Sequence, residues 1–110
     1  MIIDFDSIVT KSMPNFKGGD LSYEAAIADD GNCKIMRGCL LPGASIGMHE
    51  HADSCEAIFV ISGVGTVYSP DAEPETVRPG QCTYCPKGHS HSLRNEGTAP
   101  LVFFAVVPTC

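Results

Sequence analysis

Turn-forming residues interrupt this chain at short intervals, and that punctuation limits its fold more than any other feature. Asp29-Asp30-Gly31-Asn32, Pro42-Gly43, Gly63 to Gly65, Pro79-Gly80, Pro86-Lys87-Gly88 and Glu96 to Pro100 separate short apolar runs. At a Pro-Gly corner, proline presets φ for the first turn position and glycine accepts a positive φ at the second. The runs between corners read as strands: Ile2 to Phe5 as an edge strand, then Leu21 to Ala28 and Cys33 to Leu41 as a hairpin. Ile46 to His51, Glu56 to Ser62, Thr66 to Ser69, Thr76 to Arg78, Gln81 to Cys85, Ser90 to Arg94 and Leu101 to Val107 follow. Thr10 to Asp20, with Pro14 and Gly18-Gly19, reads as a loop, and Pro70 to Pro74 as the longest polar loop. No segment carries a convincing helical pattern. About nine or ten strands at this spacing predict an all-β sandwich or barrel.

Gly43 to Gly63 concentrates the chemistry. His49 and His51 are two residues apart, so in a strand both project from the same face while Glu50 points away. A turn at Ala52-Asp53-Ser54 can bring Glu56 back on an adjacent strand beside the two imidazoles. Downstream, His91 follows the Pro86-Lys87-Gly88 corner and opens another strand. Each histidine alone is most simply a core or surface residue; their joint spacing with a carboxylate points to one metal ion.

The spacing of Gly43, His49, His51, Glu56 and Gly63 resembles the first motif of the cupin family, and that of Gly80, Pro86, Gly88, His91 and Asn95 resembles the second. No specified position is missing, and the short stretch between the motifs, Val64 to Pro79, is similar to that of small single-domain cupins of the cupin 2 conserved-barrel type. The resemblance implies a double-stranded β-helix, or jelly-roll, cupin barrel. It further implies a metal held by His49, His51, Glu56 and His91. Such a ligand set suits one divalent transition metal, Mn, Fe, Ni or Zn, without choosing among them. Four ligands on an octahedral ion leave positions open, as a catalytic site requires. A metalloenzyme acting on a small anionic or carbonyl substrate, with dioxygenase-, decarboxylase- or lyase-like chemistry, is the first functional expectation. The alternative is a non-catalytic module that binds a small metabolite or a metal.

Composition excludes other partners. A net charge of −6 with only seven Lys and Arg offers neither nucleic acid nor an anionic membrane surface a basic face. Asp4 and Asp6 stand where a secretory signal would be basic or apolar, which predicts a cytoplasmic location. At 110 residues and 44% hydrophobic, without linker or repeat, residues 1–110 are expected to form a single domain with its own core.

Other residues carry further expectations. The six cysteines, at 33, 39, 55, 82, 85 and 110, are expected to be reduced and mostly buried. In the Cys82-Thr83-Tyr84-Cys85 run the two thiols would face opposite sides of a strand, and so could not share a metal or a disulfide. Arg37 shares the odd parity of His49 and His51, which predicts that it faces the metal and binds an anionic substrate, unless the Pro42-Gly43 corner resets the phase. His89 is a candidate at the pocket rim. Finally, Glu56 to Ser62 is apolar on both faces, with Ile58 and Val60 on one and Ala57, Phe59 and Ile61 on the other; this predicts a partner subunit over the second face, hence a homodimer.

Overall fold

Ten strands follow the punctuation of the sequence and pair into two antiparallel sheets. The computed structural model describes all 110 residues. One sheet holds six strands: β1 (Lys11–Pro14), β2 (Ser22–Asp29), β3 (Cys33–Leu40), β10 (Leu101–Pro108), β5 (Glu56–Ser62) and β8 (Cys82–Cys85), hydrogen-bonded in that order. The other holds β4 (Ser45–Glu50), β9 (Ser90–Arg94), β6 (Gly65–Ser69) and β7 (Ala72–Val77), again in that order. From β3 onward every connection except β6 to β7 crosses between the sheets, which makes the architecture the jelly-roll barrel expected. No helix is long and apolar enough to cross a membrane.

The core lies between the sheets, and period-two alternation decides which residues enter it. On β3, Met36, Gly38 and Leu40 turn inward and are buried. Gly38 is needed there: a Cβ at this position would stand 2.6 Å from the Phe103 ring and 2.7 Å from that of Tyr23. Its absence lets those two rings stack with centroids 5.8 Å apart. Tyr23, Leu40, Ile58, Leu93, Leu101 and Phe103 are the large side chains removed almost wholly from water. Each contributes about 1.5–3 kcal/mol of burial, before the entropy of ordering the chain is set against it.

One irregularity governs the site. Ile46 pairs with Leu93 and His49 with His91, so β4 advances three residues while β9 advances two. The extra residue is a β-bulge at Gly47-Met48, and it moves the inward parity from even on Ile46 to odd on His49 and His51.

Several local expectations are corrected. Ile2 to Phe5 is not a strand; a short turn of 3₁₀-helix at Phe5–Ser7 lays the N-terminal segment over the outer face of the six-stranded sheet, where the Phe5 and Phe104 rings meet edge-on at 5.4 Å. Within the supposed loop from Thr10 to Asp20, Lys11–Pro14 pairs with β2 and Phe16–Gly18 forms a second 3₁₀ turn. Pro70 to Pro74 is mostly strand, because β7 begins at Ala72 and pairs back onto β6. All six cysteines are free thiols, but only Cys85 is buried, while Cys82 and Cys110 are exposed. The small thiols fill the outer faces and edges of the sheet instead. Cys82 and Cys85 do face opposite ways on β8.

Candidate metal centre

His49, His51, Glu56 and His91 converge from both sheets at one end of the barrel. His49 and His91 are cross-strand neighbours on β4 and β9. His51 follows the end of β4, its N–H donating to the His89 carbonyl at 2.9 Å and its own carbonyl accepting from Gly88 N–H at 2.7 Å. Glu56 opens β5 on the facing sheet, so it reaches the histidines across the sandwich and not from an adjacent strand as the sequence suggests. The connection from Ala52 to Cys55 is held by the C-terminal segment: Cys110 N–H donates to Asp53 O at 2.9 Å, and Ser54 bridges Thr109. Cys110 Sγ also lies 3.4 Å from Cys55 Sγ.

The polar tips crowd together closely. Glu56 Oε1 stands 2.9 Å from His91 Nε2, 3.1 Å from His51 Nε2 and 3.9 Å from His49 Nε2. The Nε2 atoms of His51 and His91 are 3.0 Å apart. All four ligand atoms lie within 4.8 Å of one another. Donors arranged around one ion at about 2.0–2.2 Å stand about 3–4.4 Å apart, so the group could hold a metal ion. Three ring nitrogens aimed at a single carboxylate oxygen are what a cation would unite.

Neighbouring groups turn the rings. His49 Nδ1–H donates to the Gly47 carbonyl at 2.7 Å, which leaves Nε2 with its lone pair toward the cluster. Ser54 Oγ does the same duty for His51 Nδ1 at 2.8 Å. Gly47 is itself fixed by close packing: a Cβ there would fall 2.0 Å from the Lys17 carbonyl oxygen.

Charge and burial act against each other at Glu56. Burial works to raise its pKa, yet contacts with His49 and His91 and the charges of His91 and His51 outweigh this and bring it down to about 2. For His51 burial dominates and lowers the pKa, opposed by Glu56 and reinforced by His91 and His49. The imidazole is therefore biased toward the neutral form that binds metals. The Tyr23 phenol, in the same cavity, is pushed up by burial and by Glu56.

Two openings reach this cluster. A cavity of about 270 Å³ exposes His49, His51 and Glu56 between apolar walls that include Tyr23, Ile27, Met36 and Val107, with Lys17, Lys34 and Glu50 also lining it. A larger cleft of about 480 Å³ touches the cluster only at His91 and carries Asp71, Glu75 and His89. The first has three of the four candidate ligands and the cationic residues; the second is acidic.

Of the sequence candidates, Arg37 lies elsewhere and its expected role is corrected. It points from the outer face of β3, opposite Ala26 and Phe104, and its Nη1 donates to Asp6 Oδ1 at 2.8 Å. The phase is lost at the Gly47-Met48 bulge and not at the Pro42-Gly43 corner, since Met36, Leu40 and Ile46 all keep even parity. His89 is exposed, outside the four-residue group, and lines the acidic cleft. Lys34, Ser54 and the Gly47 carbonyl were missed. Lys34 was legible in principle, because Met36, Gly38 and Leu40 mark the even positions of β3 as the inward ones.

Comparison with known proteins agrees with this geometry. An "Oxalate-binding protein" from Thermotoga maritima is 27% identical over 113 residues, covering 97% of this chain and 93% of that one. The crystal structure of a predicted oxalate decarboxylase, also from Thermotoga maritima, superposes with a TM-score of 0.91 at 25% identity over 100% of both chains. A double-stranded β-helix domain protein from Klebsiella pneumoniae shares the fold at a TM-score of 0.78 and 19% identity, covering 98% of this chain and 89% of that one. The family model described as Cupin domain matches residues 36–107, a span that contains all four converging side chains, and the chain belongs to the cupin family.

Proposed function

We propose that this chain binds one divalent transition metal, Mn, Fe, Ni or Zn, through His49, His51, Glu56 and His91 and uses it to act on a small carboxylate or carbonyl compound. The observation that carries this reading is the convergence of four ligand atoms within 4.8 Å beside a cavity with apolar walls. Bound there, such an ion supplies Lewis acidity and open positions to a substrate oxygen. The chain does the rest. Glu56 provides the negative charge that neutralises part of the ion's, while Gly47 and Ser54 hold two imidazoles in the required orientation. Tyr23, Ile27, Met36 and Val107 exclude water from the cavity side and so strengthen every charge interaction within it. The name of the Thermotoga maritima relative supports a small dicarboxylate as the ligand class.

A second reading, metabolite binding without turnover, is favoured by one observation. Beyond the four ligands, the cavity's titratable groups are Tyr23, whose pKa is raised, two lysines and the exposed Glu50. No further histidine lines it to serve as a general acid or base. Under either reading we take residues 1–110 as one functional unit, acting in the cytoplasm as a homodimer, with neither nucleic acid nor membrane as partner.

Elemental analysis of protein purified without chelator tests the first step. Near-stoichiometric metal in wild type and a sharp loss in His51→Ala are expected; equal metal in both would overturn the ligand assignment. Product analysis of metal-loaded protein with oxalate, with oxygen consumption followed in parallel, then separates turnover from binding.

A further inference from the structure

We infer that Lys34 receives the distal charged group of the ligand, and that the cavity therefore selects small dianions over monocarboxylates. The inference rests on the metal-centred reading above and names the group that gives it specificity. Lys34 stands on the same side of β3 as the buried Met36, Gly38 and Leu40, and it lines the cavity together with His49, His51 and Glu56.

Its ammonium is unengaged, unlike the guanidiniums of Arg37 and Arg94. Arg37 is paired with Asp6 at 2.8 Å and Arg94 with Asp20 at 3.3 Å, whereas no carboxylate lies within 4.0 Å of Lys34. Asp29, its cross-strand neighbour, turns its carboxylate to the Gly31 N–H at 2.9 Å. Glu50 lines the same cavity but makes no ion pair with Lys34. Lys17, the other cation there, is exposed and lies 5.5 Å from the centroid of the Phe16 ring, which leaves Lys34 as the half-buried donor of charge.

A chain of net charge −6 repels anions at long range, so a lysine that lines the cavity and has no ion-pair partner is a local reversal of that field. Apolar walls lower the local dielectric and strengthen it. A monocarboxylate needs only the metal end of the cavity. A dicarboxylate presents a second anionic group, and of the two unpaired lysines that line the cavity Lys34 is the half-buried one, able to meet that group without first breaking an ion pair.

Isothermal titration of manganese-loaded protein with oxalate, malonate and acetate tests this. Wild type is expected to bind a dicarboxylate more tightly than acetate. Lys34→Met should weaken the dicarboxylate by about tenfold to a hundredfold and leave acetate nearly unchanged, while Lys34→Arg restores most of the loss. Metal content, measured on the same samples, should be equal in all three proteins. If Lys34→Met or Lys34→Gln binds dicarboxylate as tightly as wild type, the role of Lys34 is overturned and the metal-centred reading stands. If fully metallated wild type binds none of the three, the carboxylate reading itself fails, and this inference fails with it.

Discussion

The Gly47 carbonyl oxygen accepts a hydrogen bond from His49 Nδ1 at 2.7 Å, at the bulge that turns His49 inward. One residue thus sets both the ring orientation of a candidate ligand and the parity that delivers it. Gly47 also lies against the backbone of the Lys17 turn, where an added Cβ would meet a carbonyl oxygen at 2.0 Å, an atom that no side-chain rotation can remove.

Gly47→Ala should therefore displace either the bulge or the Phe16–Gly18 turn, costing about 2–4 kcal/mol of stability and weakening metal retention together. Urea unfolding and metal content measured on one preparation check it. An alanine variant with wild-type stability and full metal would show that the bulge does not hold His49.

Asn95 is the second structural pivot. Its buried amide donates to Leu40 O at 2.8 Å and Ala99 O at 2.9 Å, and its Oδ1 accepts from Gly97 N–H at 3.0 Å. Three segments are tied at one side chain. Asn95→Ala strands buried backbone groups at roughly 1–3 kcal/mol each, so a loss of about 2–4 kcal/mol is expected in chemical denaturation, with the metal ligands intact.

Acidification should destabilise the metal-free protein in two stages. His51 has a folded pKa below its ordinary value, so between the two values the unfolded chain binds more protons and stability falls as pH drops. Glu56, lowered to about 2, contributes stability that is present above the ordinary carboxylate range and is lost only as pH falls through that lower value. The Tm of chelator-treated protein should thus fall as the pH drops below about 6.5, the ordinary imidazole value. A flat profile in His51→Gln beside a sloping one in wild type would assign the first stage.

The proposed homodimer has a direct test. On the outer face of β5, Phe59 and Ile61 remain 47% and 52% exposed, while Ile58 and Val60 behind them are buried. Covering that face should give a dimer mass by light scattering at tens of micromolar protein, and Phe59→Lys with Ile61→Lys should shift it to monomer. A wild-type monomer mass would contradict the assignment.

How much of this was legible beforehand follows from the range of each interaction. Alternation and turn chemistry act over two to four residues, so Glu56–Ser62 and Ser90–Arg94 could be read to the residue, and most other strands to within one or two. The four candidate ligands were named from strand parity and turn placement, and from the resemblance of their spacing to a family motif. That they come within 4.8 Å of one another only the tertiary structure decides, because it sets Glu56 on one sheet against three histidines on or beside the other. The N-terminal segment escaped for a related reason: Phe5 gains its partner, Phe104, from the far end of the chain. Arg37 and Lys34 show the limit most sharply. Their faces are fixed locally, but whether either looks at the metal depends on the strand phase beyond the Gly47-Met48 bulge. That bulge exists because β4 must pair with β9 while Gly47 packs on the Lys17 backbone, contacts that no local pattern records. Sequence by itself determined most of the strands, the barrel class and the ligand candidates; long-range packing decided which cation shares their cavity.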